Sequence, residues 1–426
     1  MNIYHELKAR GFIYQETDAA AIEKNLTSEQ IRFYVGFDPT GDSLHVGHLL
    51  PIMGMRLLQR AGHFPIVLVG GATAQIGDPS GKTSARPIMT KEKVKANADA
   101  LRNQLSRFIS VSDGNAMFVD NNEWFESIRY IDFLREIGSR FNLNQMLAKD
   151  SVKSRLETGL TFLEFNYQVL QAYDFYILNR DHNCRMEFGG QDQWGNITAG
   201  TELVRKMSPE SEVFGMTFPL LLDASGQKFG KTSGGNNVWL DVNQTPVFEY
   251  YQFWRNCADS ETQKLLNFFT TLPVEETQRL SSATEAPAIN RAKEILAYEA
   301  TKLAHGADAA REAYLTAGAK FGFADPNNQI ATVSDITKLD PKTAVLDSIP
   351  KYEASEEELK AIDLLFASGL CKSKGDARRL IQGGGAYIND IRIPDVDYII
   401  EKSTFDSSSV LLLKAGKKNM RQIVLK

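Results

Sequence analysis

The sequence predicts an α/β protein: a body built on a parallel sheet, then a helical region, then a small C-terminal α+β unit. Three observations lead there. Strand-like and helix-like runs alternate between residues 31 and 80. From about Pro246 the pattern is helical. Residues 359–426 change charge and return to short strands.

The elements follow in order. MNIYHELKARGF reads as a short amphipathic helix and not as a signal peptide. IRFYVGFD and PIVLVGGA are strand-like apolar runs, and HVGHLLPIMGMRLLQRAG between them has helical period, with Ser43 as its candidate N-cap. Such a βαβ unit implies parallel pairing, with ligands at the carboxyl ends of the strands. Residues 91–180 read as mostly helical, including KEKVKANADALRNQLSRF and FLEFNYQVLQAYDFYIL. CRMEFGGQDQWGNITAG returns to strand, glycine turn and helix, and TFPLLLD is a further strand before the polar segment ASGQKFGKTSGGNN. YYQFWRN and RAKEILAYEATKLAHG are helical. The C-terminal unit has two short helices, a break at Gly383, Gly384 and Gly385, and strands AYIND, YII and VLLLK. The expected division is a Rossmann-like domain with a helical insertion over 1–225, a mobile lid loop over 226–246, a helical domain over 247–330, a polar linker over 331–358 and the small unit over 359–426.

Bulk properties narrow the class. The chain is 43% hydrophobic and 24% charged, as expected of a soluble globular protein, and no apolar run reaches membrane-span length. Cys184, Cys257 and Cys371 are far apart and lack CxxC spacing, which argues against disulfides and structural zinc and suits a reducing cytoplasm. The net charge of −5 hides an asymmetry. Residues 360–426 hold 12 Lys/Arg against 7 Asp/Glu, and residues 1–359 hold 36 against 46. A basic tail on an acidic body suits a polyanionic partner for the tail.

Two segments suggest phosphate chemistry, and one of them fails. GDPSGKT, Gly77 to Thr83, ends like a P-loop, but four-residue spacing puts Ile76 where the first glycine belongs. It reads as a turn after a buried strand. FDPTGDSLHVGHLLP is stronger. A strand, a proline turn and a helix start bring backbone N–H groups beside His45 and His48, and Gly47 leaves the backbone between them uncovered. The set holds no nucleophile and no third metal ligand. It suits charge stabilisation on a transferring phosphoryl group. Lys228-Phe229-Gly230-Lys231-Thr232, hinged by nearby glycines, can close onto a polyphosphate as a lid does. Alone, HxxH is more often a surface pair and KxxK a solvated loop; their joint presence on this body changes the reading.

HVGH followed far along the chain by KFGKT resembles the paired signatures of class I aminoacyl-tRNA synthetases. More narrowly, YVGFDPT, GGATAQIGDPSGK, GGQDQWGNI, KFGKT and the C-terminal unit, in that order, resemble bacterial tyrosyl-tRNA synthetases. The likeness is weakest over 85–150 and 330–358. It implies activation of tyrosine by ATP, with Mg²⁺ carried in by the nucleotide, followed by transfer to tRNA(Tyr). It puts His45 and Thr40 on the departing phosphates, His48 and Gly47 beside the adenosine, Asp192 on its ribose, and Gly36, Asp38 and Gly190 around the ATP. Lys228 and Lys231 would close on the pyrophosphate. Tyr34 and Asp174 would meet the phenolic hydroxyl, and Asp78, Tyr167 and Gln171 the α-ammonium group. Tyr167, Gln171 and Asp174 stand at i, i+4 and i+7, so they share one helix face. Glu187 and Gln191 depart from the glutamine and serine expected at those positions, and Glu187 would add negative charge near the ammonium group. The resemblance further implies a homodimer, for which the segment near 120–165 is the candidate contact, and no membrane partner.

The unit ELKAIDLLFASGLCKSKGDARRLIQGGGAYINDIRI resembles the S4 RNA-binding fold. Ser373 and Asp376 form a capping pattern, and Lys372, Lys374, Arg378 and Arg379 cluster at that helix start, where they can meet RNA phosphates. With the helical region it would face the anticodon side of the tRNA. Three other readings stay open: a tryptophan-charging synthetase, a small-molecule nucleotidyltransferase with an HxGH motif, and an RNA-binding protein on an inactive synthetase scaffold.

Overall fold

The computed structural model describes the chain except residues 81–88, 150–151, 153–154, 157–158, 223–225, 227–228, 232–234, 283–284, 342–348, 356–358, 390, 406–408 and 417–418. It divides into two compact units, Met1–Asp241 with Ala258–Ser282, and Val242–Cys257 with Ala283–Lys426.

Apolar runs of strand length make the first unit's sheet. Its strands are β1 (Gln15–Glu16), β2 (Arg32–Phe37), β3 (Phe64–Val69), β4 (Met117–Asp120), β5 (Cys184–Gly190) and β6 (Phe214–Phe218), in the spatial order β1-β6-β5-β2-β3-β4. All pairings are parallel except β1 with β6. Phe33, Val35, Ile66 and Val67 are buried, so β2 and β3 lie inside the molecule and need no polar alternation. After β2 the chain winds toward β3 and β4 on one side, and β5 and β6 lie on the other. The order therefore reverses between β2 and β5, which opens a crevice at their carboxyl ends.

Several boundaries differ from the expectation. The final strand of the body is Phe214–Phe218 and not TFPLLLD; Pro219 cannot donate to a ladder. The region 91–180 contains β4, which is only four residues long and gives little periodic signal. The first unit also takes in the helices Thr262–Phe269 and Val274–Ser281, from the stretch expected as part of a separate helical domain. Phe268 meets Phe12 edge-on at 5.0 Å, and the Arg10 guanidinium donates to the carbonyls of Thr270 and Leu272. Amphipathic helices carry no mark of which core they will face.

The second unit contains the helices Val247–Arg255, Ala286–His305 and Ala307–Phe321. Its buried Arg291 donates to Glu294, Tyr314 and Asn328, so this interior charge is paired. The C-terminal sheet consists of β7 (Lys351–Ala354), β8 (Ala386–Ile388), β9 (Ile391–Arg392), β10 (Val410–Ala415) and β11 (Asn419–Leu425), ordered β7-β11-β10-β8-β9. β7 comes from the stretch read as linker and pairs parallel with β11. Its pattern is only half buried, which hides it in a polar sequence. YII forms no strand; Ile399 makes an isolated bridge to Lys360. Leu364, Leu365, Ala377, Ile381, Leu413 and Ile423 form the core of this part.

Candidate active site

The crevice between β2 and β5 gathers most of the residues singled out from the sequence. β2 carries Tyr34 and Gly36 and leads to Asp38 and Thr40, whose N–H closes a turn onto the Asp38 carbonyl at 2.8 Å. HVGH is not yet α-helix. Val46–His48 is a 3₁₀ turn, and the α-helix begins at Leu49. The cap is His45 and not Ser43, whose hydroxyl donates to the Leu44 carbonyl. An imidazole accepts here as a carboxamide or hydroxyl does elsewhere. His45 Nδ1 accepts the Gly47 N–H at 3.0 Å, and His48 Nδ1 accepts the His45 N–H at 3.1 Å. As acceptors, both Nδ1 atoms are without a proton, so both rings carry it on Nε2. The ring centroids lie 4.0 Å apart, with the ring planes tilted by 39°. Gly47 makes this possible: a Cβ there would stand 2.8 Å from His45 Cε1.

The second motif comes to the first. Val238 N–H donates to the Gly230 carbonyl, and Val46 N–H donates to the Val238 carbonyl, both at 2.9 Å. Trp239 bridges His45, and Lys231 bridges Asn237. Gly230 has φ +104°, and a Cβ on it would lie 3.2 Å from the Gly47 nitrogen. The segment Phe229–Lys231 thus lies against the HVGH turn, with Lys231 exposed. Lys228 and Thr232 lie outside the described residues.

A cluster of buried polar side chains gathers around Tyr34 and Asp174. Tyr34 and Asp174 are each 1% exposed. Asp174 accepts from Trp124 Nε1 at 2.8 Å and from Asn121 Nδ2 at 3.2 Å. Burial still raises its pKa well above the usual carboxylate range, against those two donors. Burial raises the Tyr34 hydroxyl too, and the Glu187 and Asp174 carboxylates add to that. The helix Phe162–His182, started by a Thr161–Glu164 capping box, presents Tyr167, Gln171 and Asp174 along one face as their spacing predicts.

Around Tyr167 and Gln171 the polar groups form a chain. Tyr167 donates to Asp38 at 2.8 Å, and Thr73 donates to the other Asp38 oxygen at 2.8 Å. Gln171 Nε2 donates to Glu187 at 2.9 Å, while Asn196 donates to Gln171 Oε1 and to Gln193 Oε1, each at 3.0 Å. Gln193 donates to Asp78 at 2.6 Å, and the Ser80 N–H adds a bond to Asp78 at 2.9 Å. Burial raises the Asp78 pKa against these donors, and nearby Asp192 raises it further. Asp192 and Gly190 form the short turn after β5, where a Cβ on Gly190 would meet Asp192 Oδ1 at 2.6 Å. Glu187 is not confined to the ammonium side: it stands beside Tyr34 on the neighbouring strand.

Sequence reasoning missed Asn121, Trp124, Thr73, Gln193 and Asn196. Asn121 and Trp124 were signalled only by DNNEW after a four-residue strand, a polar loop of a common kind, whereas Thr73, Gln193 and Asn196 lie inside GGATAQIGDPSGK and GGQDQWGNI, quoted above without being singled out. The four basic residues of the C-terminal unit lie in the second unit and are all exposed. Ser373 caps the helix Lys374–Gln382 as expected, Lys374 pairs with Asp363 at 2.7 Å, and Arg379 pairs with Asp376. Among the described residues no three His, Cys, Asp or Glu side chains converge as metal ligands. None of the described helices is long and apolar enough to cross a membrane.

With the paired imidazoles, Lys231 and the crevice between β2 and β5 described, the chain can be set beside known proteins. The model of tRNA synthetases class I (W and Y) matches residues 26–322, and the chain belongs to that family. Residues 342–423 match the Tyrosine--tRNA ligase SYY-like C-terminal domain. Within the family the relatives are specific. Tyrosine--tRNA ligase of Clostridium botulinum (strain Loch Maree / Type A3) is 45% identical over 424 residues, covering 100% of this chain and 99% of its own. The same enzyme of Caldanaerobacter subterraneus subsp. tengcongensis is 45% identical over 428 residues, covering 100% of both. A C-terminally truncated Aspergillus nidulans mitochondrial tyrosyl-tRNA synthetase is 29% identical with a TM-score of 0.68, covering 75% of this chain and 94% of that one. The chain thus groups with the tyrosine–tRNA ligases.

Proposed function

We propose that this chain is a tyrosine–tRNA ligase. It joins L-tyrosine to ATP, releases pyrophosphate, and passes the tyrosyl group from the adenylate to the 3′ end of tRNA(Tyr). The observation that carries the reading is the meeting of the HVGH turn with Phe229–Lys231 at the strand switch, above a pocket that ends in Tyr34 and Asp174.

In the first step a tyrosine carboxylate oxygen attacks the α-phosphorus in line, and the bond to the β-phosphate oxygen breaks. Charge builds on the departing pyrophosphate. The Nε2–H groups of His45 and His48 donate there and beside the adenosine, with Thr40 and the Gly47 backbone completing the cradle. Gly36, Asp38 and Gly190 line the ATP, and Asp192 accepts from its ribose. Lys228 and Lys231 close on the pyrophosphate as the lid. ATP enters as its Mg²⁺ complex, a substrate that needs few protein ligands. In the second step the terminal ribose hydroxyl of the tRNA attacks the carbonyl of the adenylate, and AMP leaves.

Tyrosine lies with its phenol toward Tyr34 and Asp174 and its ammonium group toward Asp78, Tyr167 and Gln171. Phenylalanine would leave the buried Asp174 without the donor it accepts from the substrate, a deficit of about 1–3 kcal/mol. Lys372, Lys374, Arg378 and Arg379, on an S4-like unit, meet tRNA phosphates. Exposed Tyr130, Ile131, Leu143 and Phe162 support a homodimer through the 120–165 segment. The cytoplasm is the expected compartment. Amino-acid-dependent ATP–pyrophosphate exchange tests the reading: tyrosine should drive it. Exchange driven by tryptophan and not tyrosine would overturn it.

A further inference from the structure

Glu187 is the buried charge that the proposed reaction leaves without a task. It lies opposite Tyr34 in the register of the parallel pair β2–β5, so the two side chains project from the same face of the sheet. Each is 1% exposed. Glu187 Oε1 accepts from Gln171 at 2.9 Å. Among the described residues Glu187 Oε2 and the Tyr34 hydroxyl have no hydrogen-bond partner. Both are buried, both are polar, and they stand side by side. Helix Trp194–Met207 seals Oε2 from behind: a Cβ on Gly200 would lie 2.8 Å from it.

We infer that Glu187 is a positioning residue that sets the direction of the Tyr34 hydroxyl, and through it the grip on the substrate's phenol. Protonated on Oε2, Glu187 donates to the Tyr34 oxygen, and the Tyr34 proton turns into the pocket toward the phenolic oxygen. Ionised, Glu187 accepts the Tyr34 proton itself, and the substrate loses that donor. Asp174 accepts the phenol's own proton in both states. Gln171 keeps its bond to Oε1 in both, so the ammonium side is unaffected. The inference rests on the tyrosine-ligase reading.

The switch falls at working pH. Burial pushes the Glu187 carboxyl up to about 7, against the Gln171 donor and the neighbouring Tyr34 hydroxyl, which pull it down. The titratable and polar groups that face it are Tyr34 from β2, Gln171 and Asp174 from the helix Phe162–His182, and Cys184 on its own strand. None of these is a cation that would hold it ionised.

The test is the KM for tyrosine in pyrophosphate exchange at saturating MgATP, from pH 6 to 8.5. In the wild type it should rise about three- to tenfold as Glu187 ionises, the worth of one hydrogen bond, with kcat nearly level. E187Q keeps an acceptor for Gln171 and a fixed donor for Tyr34, so its KM should stay at the low-pH level throughout. Tyr34→Phe should have a raised KM that no longer varies with pH. A level wild-type profile overturns the inference even if neither variant folds, and so does an E187Q profile that overlays the wild type. Absence of tyrosine-driven exchange at every pH would fell the ligase reading and this inference with it.

Discussion

Gly47→Ala isolates the geometry of the paired imidazoles. The added Cβ would stand 2.8 Å from His45 Cε1 and 3.0 Å from Nδ1, closer than atoms of that size tolerate. The ring cannot yield freely, because its Nδ1 holds the Gly47 N–H at 3.0 Å and Trp239 packs against it with centroids 5.8 Å apart. Either the cap bond breaks or the ring moves, and both displace Nε2. The stability loss should be modest, about 1–3 kcal/mol for overpacking and a lost cap. The rate loss should be larger. Misplacing a transition-state donor by a fraction of an ångström costs roughly 10²-fold, and removing it outright costs about 10²–10³-fold. Single-turnover adenylate formation in G47A, H45A and the double variant measures this. If Gly47 acts through His45, the double variant should be no slower than H45A alone. Independent, multiplying losses would refute the reasoning, as would a wild-type rate in G47A.

Four further outcomes are expected. Trp124→Phe removes the 2.8 Å donor to Asp174 and should raise the KM for tyrosine about tenfold or more in exchange assays, with little change in kcat. Lys231→Ala should slow adenylate formation while leaving equilibrium tyrosine binding nearly unchanged; a large loss of binding would contradict the lid role. Glu187 should also make stability depend on pH. Its folded value is raised from 4.5 to about 7, so its contribution is full below 4.5 and is lost as pH rises toward 7, in all about 3 kcal/mol. Urea melts of E187Q against wild type should therefore show a difference that grows in favour of E187Q from pH 5 to pH 8, and equal differences would contradict this. Truncation before β7 should spare exchange and abolish most tRNA charging; β7 belongs to the C-terminal sheet, so a cut at residue 359 would leave a stray strand.

The sheet and its crevice were legible because buried parallel strands write themselves as continuous apolar runs. IRFYVGFD and PIVLVGGA became β2 and β3 with little error. The polar face of the helix Phe162–His182 was legible because helical spacing alone aligns residues 167, 171 and 174. What failed to show was non-local. Trp124 and Asn121 reach Asp174 across a large sequence gap, and nothing in DNNEW specifies that fold-back. His45 as its own cap was missed because imidazole seldom plays that part, and Ser43 had the commoner chemistry. The two helices that join the first unit were assigned to the wrong neighbour, since an apolar stripe gives its width and not its destination.

The central claim is that the His45–Gly47 turn and the Gly230–Lys231 segment serve one triphosphate. A crystal structure with tyrosine and a non-hydrolysable ATP analogue measures that directly. Nε2 of His45 and Nζ of Lys231 should both lie within hydrogen-bonding reach of its phosphates, with the phenol against Tyr34 and Asp174. Phosphates bound elsewhere, with either group turned away from them, would contradict the account.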